Sequence, residues 1–428
     1  MRFSLVLFLI CFSSASFSQT ASSKVAPILT PASPESVGMS AERLARIDAM
    51  CQQAIADSEV PGMVALVARK GKIVYHKAFG KAEVASGRNF AKNDIFRIAS
   101  QTKAITSTAV MILWEEGKFR LDDPISKYIP AFENQKVLTD FRYADTTYSA
   151  RPVETEITIR HLLTHTSGIG YGVIDRDERF KMLYHKAGVT DLFTTEPVTI
   201  KESVEKLAKL PLHHEPGSAY VYSEGLDVLG YFIEVVSGVP FDEFLRTRLF
   251  DPLGMDDTWF YLPNQLHNRL VPVQHLVEEN WENYPVTFYD PDYPKTGAKT
   301  FFSGGAGLSS TTLDYAKFLQ MYLNNGVYNG QRILSRTTIK TIMSNQIGDY
   351  WGGSNGYGLC FGLVGQEGLA AGGNGSIGTF NWGGYFNTNY FADPEEGLIG
   401  IIMKQTQQTR TDNTTWRFKI LASQAVDD

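Results

Sequence analysis

The chain has 428 residues, a net charge of −6 at pH 7, 43% hydrophobic residues and 20% charged residues. This composition is typical of a globular protein and excludes an intrinsically disordered one. The acidic balance without a basic cluster argues against nucleic acid or an anionic membrane as a partner, and no internal repeat indicates a solenoid or a propeller.

Residues 1–18 have the pattern of a secretory signal peptide. Residues 5–12 form its apolar stretch, and residues 16–18 read Ser-Phe-Ser, a small-x-small cleavage site. The stretch is too short to span a bilayer, and the position of Cys11 inside it argues against lipoprotein processing. We therefore expect a secreted or periplasmic protein that is cleaved after Ser18.

A linker is predicted at residues 19–36, and a single large domain at residues 37–428. Ser40 is the N-cap of an amphipathic helix that ends before Pro61. Two strands and the tight turn that joins them are predicted next: Val64–Val67, Lys70-Gly71 and Lys72–His76.

The segment Phe96–Lys103 carries a Ser-x-x-Lys motif, and the apolar run after it predicts a helix that ends near Gly117. Residues three apart lie on one helical face, so the Ser100 hydroxyl and the Lys103 ammonium are expected side by side. A lysine that is removed from water can exchange a proton with a serine at the positive end of a helix. The pattern therefore indicates an activated serine nucleophile.

A second Ser-x-x-Lys occurs at Ser203 to Lys206, and about two copies are expected by chance in a chain of this size. Here Thr199 and Glu202 form a capping box at the start of an amphipathic helix rich in Lys and Glu. We interpret this copy as structural.

The middle of the chain is predicted to be mostly helical. Two stretches, Ala131–Glu156 and Leu262–Thr300, lack any periodicity, and loops of that length are usually functional or mobile. The predicted helices of this part are Thr158–Thr164, Leu226–Val236, Phe241–Leu249 and Leu313–Leu323.

After Gly352, aromatic and β-branched residues alternate between glycines, which predicts an antiparallel sheet. We expect an α/β (α+β) sandwich whose sheet is flanked by N- and C-terminal helices, with a large inserted all-helical subdomain. The α/β part would span residues 37–100 and 348–428, and the helical part residues 101–347. The predicted strands and closing helix are Tyr357–Val364, Gly378–Phe380, Tyr385–Phe391, Leu398–Lys404 and Asn413–Ala425.

The order of four motifs resembles that of a known superfamily. These are Ser100-x-x-Lys103, His161-Leu-Leu-Thr-His-Thr-Ser-Gly168, Tyr222-Ser223 and Trp382-Gly383-Gly384. The set resembles the class C β-lactamase and DD-peptidase superfamily, and within it the family VIII carboxylesterases most. The resemblance covers residues 35–425 and implies the β-lactamase/transpeptidase-like fold.

The resemblance also implies a catalytic set. Ser100 would be the nucleophile and Lys103 its proton partner, while Tyr222 would be the second base, with Tyr220 as the alternative assignment. The backbone N–H groups of Ser100 and Tyr385 would form the oxyanion hole. No metal or cofactor is implied.

Substrate contacts are implied for Trp382, Gly383, Gly384 and Glu224. Two of these depart from the β-lactamase pattern, which has Asn in place of Glu224 and a Lys-Thr-Gly where neutral Trp382 stands. A carboxylate cannot donate the hydrogen bond of an amide, and loss of the lysine weakens recognition of an anionic β-lactam. Both changes are compatible with a neutral ester, so we expect a serine hydrolase that cleaves carboxylic esters through an acyl-enzyme.

Three alternatives stay open. They are a β-lactamase or D-amino-acid peptidase, an acyltransferase or amide hydrolase on the same triad, and a non-catalytic penicillin-recognising-like sensor. The presence of Ser100, Lys103 and Tyr222 together argues against the sensor. The expected partner is a small-molecule ester or amide, and the oligomeric state is left open.

Two further motifs are interpreted as structural. A literal Lys-Thr-Gly at residues 295–297 lies in an irregular loop rather than on the predicted catalytic strand. Residues 352–356 match Gly-x-Ser-x-Gly but lack the preceding strand and following helix of a nucleophile elbow.

The histidines and cysteines are also given structural interpretations. His161 and His165 have an i, i+4 spacing but lack the Glu and the third ligand of a zinc site. We expect the His165 side chain to form a hydrogen bond with the backbone at a helix end. Cys51 lies on a predicted helix and Cys360 on a predicted strand, and we expect both to be buried free thiols.

Overall fold

The computed structural model describes residues 26–352, 355–407, 409 and 412–428. The predicted signal peptide, residues 19–25 of the predicted linker, and residues 353 and 354 of the Gly-x-Ser-x-Gly pattern lie outside the described residues. Within the described part, no helix is both long enough and apolar enough to cross a membrane.

The described chain has eighteen strands, and nine of them form one large sheet. The strands are β1 (Thr30–Pro31), β2 (Gly62–Arg69), β3 (Lys72–Glu83), β4 (Arg88–Asn89), β5 (Phe96–Arg97), β6 (Lys136–Arg142), β7 (Thr147–Pro152), β8 (Gln274–Val277), β9 (Asn280–Asn283), β10 (Ser309–Ser310), β11 (Val327–Tyr328), β12 (Gln331–Arg332), β13 (Asn355–Tyr357), β14 (Gly362–Val364), β15 (Phe380–Gly384), β16 (Thr388–Asp393), β17 (Leu398–Met403) and β18 (Thr406–Gln407). The sheet order is β1-β3-β2-β17-β16-β15-β14-β13, with β4 paired to β3. The first and last parts of the chain therefore share one sheet, which confirms the predicted α/β class.

Helices of the described chain lie on both faces of this sheet and in the segment between its strands β4 and β13. They are α1 (Ala41–Ala56), α2 (Thr102–Glu115), α3 (Ile159–Leu163), α4 (Glu178–Ala187), α5 (Ile200–Leu207), α6 (Gly225–Ser237), α7 (Phe241–Leu245), α8 (Asp251–Leu253), α9 (Tyr293–Thr296), α10 (Thr312–Leu323), α11 (Arg336–Ile342), α12 (Gln366–Ala370) and α13 (Thr414–Ser423). Short 3₁₀ segments at Pro34–Val37, Ala99–Gln101, Ile125–Lys127, Pro130–Phe132 and Asn264–Arg269 and a π segment at Arg246–Phe250 complete the helical elements.

Helix α1 and helix α13 pack together on one face of the sheet. The Ser40 Oγ accepts a hydrogen bond from Arg43 N, which caps α1 as predicted. Residues at helical spacing on α1, among them Leu44 and Ile47, are buried against Phe418 of α13 and the strands beneath. Each such side chain contributes about 1.5–3 kcal/mol when it is fully buried.

Helix α2 lies in the larger core on the other side, and nearly every one of its side chains is buried. It packs against α6, and α10 lies against β2 and β17. Because α2 is buried in this core from Thr102 to Leu113, the residues at its start have fixed positions. Those residues include the Ser-x-x-Lys motif.

The middle of the chain is not all-helical, which corrects the predicted subdomain. The stretch predicted as aperiodic at 131–156 contains the hairpin β6–β7, and the stretch at 262–300 contains the hairpin β8–β9. Most residues of β6 and β7 are exposed on both faces. A strand without a buried face shows no alternation of apolar and polar residues, so no sequence signal identified it.

Several element boundaries also differ from the predictions, among them the strand predicted at Gly378–Phe380, which is Phe380–Gly384, and the strand predicted at Lys72–His76, which extends to Glu83. Residues of the predicted linker form β1 and the 3₁₀ turn Pro34–Val37. The predicted strand 357–364 is a hairpin, because Cys360 has φ +68° and turns the chain between β13 and β14. The helix predicted to end at Leu249 continues through the π segment and α8 to Leu253. The strand predicted at 385–391 begins at Thr388, after a turn.

The two cysteines of the described chain are free and buried, as predicted. Burial raises the pKa of the Cys51 and Cys360 thiols to about 12. Both therefore stay protonated and unreactive at neutral pH.

Candidate active site

Ser100 lies where the chain leaves β5 and enters α2. The preceding Ala99 has φ +43°, a left-handed conformation that is uncommon for a residue with a Cβ. This turn places Ser100 in a single 3₁₀ turn that continues directly into α2. The Ser100 N–H donates to no described residue, as expected for the first turn of a helix.

The Lys103 ammonium is buried and lies within reach of Ser100. Its side chain is 1% exposed, and its Nζ is 3.4 Å from the Ser100 Oγ. Two shorter hydrogen bonds hold it, each 2.8 Å long, to the Tyr171 hydroxyl and to the carbonyl oxygen of Gly305. The structure therefore brings the predicted serine and lysine together and adds two partners that the sequence did not indicate.

Tyr222 lies beside the same lysine, although through its ring. The Lys103 Nζ is 4.6 Å from the centre of the Tyr222 ring, and the rings of Tyr222 and Tyr171 are 5.5 Å apart. The Tyr222 hydroxyl makes no hydrogen bond with a described residue. Tyr220, the alternative assignment, instead packs against Trp351 and Tyr357. The position of Tyr222 fits a second base, and its role stays a prediction.

Tyr171 is the site residue that sequence reasoning missed. It is fully buried, and burial raises the pKa of its hydroxyl well above the usual value. It follows the predicted motif ending at Gly168 by three residues, in a segment without regular structure. Its position directly after that motif is the only signal that could have singled it out.

We expect Tyr222→Phe to lower kcat/KM by about 10²-fold or more, the usual range for loss of a general base. Tyr220→Phe is the matched control, because it removes a hydroxyl from a ring that does not approach Lys103. Steady-state kinetics on both variants and on Tyr171→Phe test this. A mild effect at Tyr222 with a severe one at Tyr171 or Tyr220 would move the second base to that tyrosine.

A buried carboxylate supports the carbonyl that holds Lys103. Asp227 accepts hydrogen bonds from the Ser303 hydroxyl at 2.6 Å and from the Gly305 N–H at 3.2 Å. Burial is the largest influence on Asp227 and raises its pKa. The Gly305 carbonyl accepts the hydrogen bond from Lys103. Asp227, which holds Gly305 in place, therefore also positions the ammonium relative to Ser100.

Strand β15 brings the predicted oxyanion-hole residue to the start of α2. A Cβ built on Gly384 would lie 2.4 Å from the Ile98 carbonyl oxygen, so β15 and the Ser100 segment are in backbone contact. The Tyr385 N–H, next along the chain, donates to no described residue. Two free N–H groups, those of Ser100 and Tyr385, thus flank a close contact between two segments. Their function as an oxyanion hole stays a prediction.

A buried ion pair anchors the turn that follows β15. Asn387 has φ +68° and donates to the Asp412 carboxylate at 2.6 Å. The same carboxylate receives the Lys404 ammonium at 2.6 Å, and both side chains are almost completely buried. This network fixes the turn that carries the Tyr385 N–H.

We expect Gly384→Ala to lower stability by about 1–3 kcal/mol, the usual cost of overpacking, and kcat/KM by about tenfold or more. The added methyl would meet a backbone oxygen, so β15 must move away from Ser100. Gly383→Ala is the matched control, because its nearest obstacle is the movable tip of the Asn389 side chain. Thermal unfolding and kinetics measure both; equal effects would contradict the argument.

Glu224 does not lie in the substrate cleft, which corrects its predicted position. It is 2% exposed, and its carboxyl group lies against that of Asp191, which is partly buried. Burial, and then the neighbouring Asp191, raise the pKa of Glu224 well above its usual value. The pair therefore holds a proton more tightly than an exposed carboxyl group does. Asp191 also accepts a 2.5 Å hydrogen bond from the Val173 N–H, so the pair anchors the segment that contains Tyr171.

The raised pKa of Glu224 predicts a pH-dependent stability. The folded state keeps a proton that the unfolded state releases above the ordinary carboxyl pKa, about 4.3. The stabilisation is complete below that pH and decreases as the pH rises towards the folded pKa. We expect Glu224→Gln to show a smaller loss of unfolding free energy between pH 5 and pH 8 than the unchanged protein. Urea unfolding tests this, with exposed Glu133→Gln as a control that keeps the original pH dependence.

The remaining motifs take structural positions. The residues 295–297 belong to α9 and its end, where Lys295 pairs with Asp292 at 3.1 Å, and not to the large sheet. The Ser203 hydroxyl bonds the backbone of Thr190. His165 Nδ1 accepts a hydrogen bond from the Ser223 N–H, so the His165 side chain bonds to the backbone as predicted. No group of three or more metal-binding side chains occurs in the described part of the chain.

An open cleft of about 1030 Å³ extends from the site. Tyr171, Tyr222 and Trp382 line it, and Ser100 itself is outside this lining. The Trp382 ring lies 6.0 Å from that of Tyr222 and 6.4 Å from that of Trp351. The cleft therefore presents aromatic rings next to Lys103. Trp382 lines this cleft, so its position fits the predicted contact with a substrate.

Comparisons with known proteins show which family the chain belongs to. The family model described as Beta-lactamase matches residues 47–424. Esterase EstB of Burkholderia gladioli is 31% identical over 380 residues, which cover 85% of this chain and 90% of EstB. A putative D-alanyl-D-alanine carboxypeptidase of Escherichia coli K12 is 29% identical over 336 residues, which cover 73% of this chain and 71% of the carboxypeptidase chain.

A solved structure shows the same architecture. EstCE1, described as a hydrolase with promiscuous acyltransferase activity, superposes with a TM-score of 0.75 at 26% identity, covering 90% of this chain and 99% of EstCE1. The superfamily that the ordered motifs indicate is thus confirmed. The chain belongs to the Beta-lactamase family of serine hydrolases.

Proposed function

We propose that this hydrolase cleaves carboxylic esters of small molecules through an acyl-enzyme formed on Ser100. The observation that carries the proposal is the position of Lys103, which is buried, 3.4 Å from the Ser100 Oγ, and fixed by Tyr171 and Gly305. A buried ammonium so placed has no structural ion pair with any described residue. It is therefore available for proton exchange with the serine.

The reaction has two balanced steps. The Ser100 oxygen attacks the ester carbonyl carbon, and its one proton passes to the Tyr222–Lys103 pair, which accepts it when the pair carries one proton fewer than a phenol plus an ammonium. The Ser100 and Tyr385 N–H groups stabilise the oxyanion. The bond to the alcohol breaks, and the alcohol leaves with that proton. Water then attacks the acyl carbon, the same groups take its proton, and the acid leaves as the Ser100 hydroxyl is restored.

The two motif positions that differ from the β-lactamase pattern favour an ester over an anionic substrate. The tryptophan of β15 supplies no cation for a carboxylate, and Glu224 is turned into the core instead of contacting a ligand. The similarity to EstB over 90% of that esterase supports the same substrate class. A second candidate, acyl transfer to an alcohol, is favoured by the description of EstCE1.

A direct rate comparison tests the proposal. Hydrolysis of p-nitrophenyl butyrate and of nitrocefin is measured side by side, with Ser100→Ala as the blank. A fast ester rate that depends on Ser100, with little nitrocefin turnover, is the expected result. Faster nitrocefin turnover would instead support a β-lactamase, and transfer of the acyl group to an added alcohol in preference to water would support a transferase.

The proposed location is outside the cytoplasm. It rests on the pattern of residues 1–18. Mass spectrometry of the protein from the periplasm or medium should find an N-terminus at Gln19. A protein that keeps Met1 and stays in the cytoplasm would contradict this.

A further inference from the structure

A second cavity lies on the opposite side of β15 from Lys103. Its volume is about 310 Å³, and Trp382 contributes to both cavities. Strand pairing places Asn381 opposite Phe391, and the Phe391 ring packs on Phe418 of α13 at 6.4 Å. Side chains alternate between the faces of a strand, so Asn381 points towards α13, away from the face that Trp382 presents to Tyr222. We call this space the rear cavity.

Lys419 of α13 supplies a cation to the rear cavity. Its Nζ makes no hydrogen bond or ion pair with a described residue, and it lies over the Phe391 ring, 5.6 Å from the ring centre. Burial lowers the pKa of its ammonium to about 8. A partly buried cation without an anionic partner is unfavourable, and an anionic ligand would relieve that cost.

The acidic groups near Lys419 are already engaged. Asp393, whose charge acts on Lys419, accepts from the N–H groups of Ser376 and Glu395. Asp412 also lines the rear cavity, but its carboxylate pairs with Lys404 at 2.6 Å. Neither carboxylate forms an ion pair with the Lys419 ammonium.

The other groups that line the rear cavity suit the apolar part of an organic ligand. The Trp416 ring at the mouth is 62% exposed, which is unusual for so large an apolar side chain. Asn381 offers an amide that has no hydrogen bond with a described residue, and Phe391 gives an aromatic wall. One cation, one free amide and two aromatic rings match a carboxylate attached to a planar apolar group.

We propose that the rear cavity is a binding site for a small aromatic carboxylate, whose carboxylate group pairs with Lys419 and whose ring packs between Trp416 and Phe391. The site is separate from the catalytic cleft, and it contacts the strand that carries Gly383 and Gly384. The proposal does not depend on which bond the enzyme cleaves.

Calorimetric titration with benzoate tests the site, with neutral benzamide as the comparison probe. We expect one equivalent of benzoate to bind the unchanged protein, and Lys419→Met to weaken binding by about tenfold or more, the usual value of a charged contact. Lys340→Met, which removes an exposed lysine on α11, is the matched control and should bind as the unchanged protein does. Benzamide should bind much more weakly than benzoate.

Two further measurements make the test independent of folding and of catalysis. Trp416→Ala removes an exposed ring, so it should keep the fold and still weaken benzoate binding. Ser100→Ala should bind benzoate unchanged. Affinity should fall as the pH rises through about 8, because the Lys419 ammonium loses its proton there. Absence of benzoate binding, or equal binding by Lys419→Met and the unchanged protein, would overturn the proposal.

Discussion

Replacing Ser100 by alanine is expected to abolish ester turnover, with kcat/KM falling by about four orders of magnitude or more. The Ser100 Oγ is the hydroxyl that the Lys103 ammonium reaches, and no other serine of the described chain contacts that lysine. Alanine is a better helix former than serine, so the thermal unfolding midpoint should hardly change. Kinetics with p-nitrophenyl butyrate and a thermal unfolding scan measure the two effects.

The second Ser-x-x-Lys copy provides the control for this variant. The Ser203 hydroxyl donates to the Thr190 carbonyl and accepts from its N–H, both at 2.9 Å. Ser203→Ala should therefore lower stability by roughly 1–3 kcal/mol and leave kcat/KM of the folded enzyme intact. Full activity in Ser100→Ala would remove the nucleophile assignment, whatever the result at Ser203.

Replacing Lys103 by methionine is expected to lower the acylation rate by about three orders of magnitude or more, within the range for loss of the group that exchanges a proton with a nucleophile. Methionine keeps the apolar stem and loses the ammonium. It also leaves the Tyr171 hydroxyl and the Gly305 carbonyl without their shared donor, both in the core. We therefore expect an additional loss of stability of roughly 1–3 kcal/mol.

Single-turnover kinetics separate these two effects, because they report acylation of the folded enzyme only. Lys317→Met offers a comparison on α10, since Lys317 bonds Asp314 and the carbonyl of Gly254 without approaching Ser100. It should lose stability and keep its acylation rate. Equal acylation by Lys103→Met and the unchanged protein would show that the lysine has only a structural role.

Local patterns predicted much of the fold. The helix after Ser100, the cap at Ser40 and the sharing of one sheet by both ends of the chain follow from periodicity and turn residues, which act over short distances. The hairpin β6–β7 was missed because its strands are exposed on both faces, so burial left no pattern in their sequence.

Local sequence geometry predicted the candidate site only where its residues lie on one element, whereas Tyr222 and Tyr385 were expected from the resemblance. Ser100 and Lys103 are three residues apart and share one turn, so their proximity follows from helix geometry. Tyr171 and Gly305 reach Lys103 across 68 and 202 residues of chain. Such contacts depend on tertiary packing, and no local pattern encodes them.

Glu224 illustrates the same limit. Its place in a motif suggested a contact with substrate, but the position of Asp191 decides where its side chain lies. The two residues are 33 positions apart in the sequence, and neither alone indicates a buried carboxyl pair. The chemical roles of Ser100, Lys103 and Tyr222 stay predictions until the variants are measured.

The hydrogen bonds of Lys103 also bear on how the enzyme gains activity as it folds. The ammonium is held only when α2 has met both the Tyr171 segment and the Gly305 segment. Closing such long loops is slow compared with forming a helix. During refolding, helical signal should therefore return before ester hydrolysis does, and activity should report the last of these segments to dock.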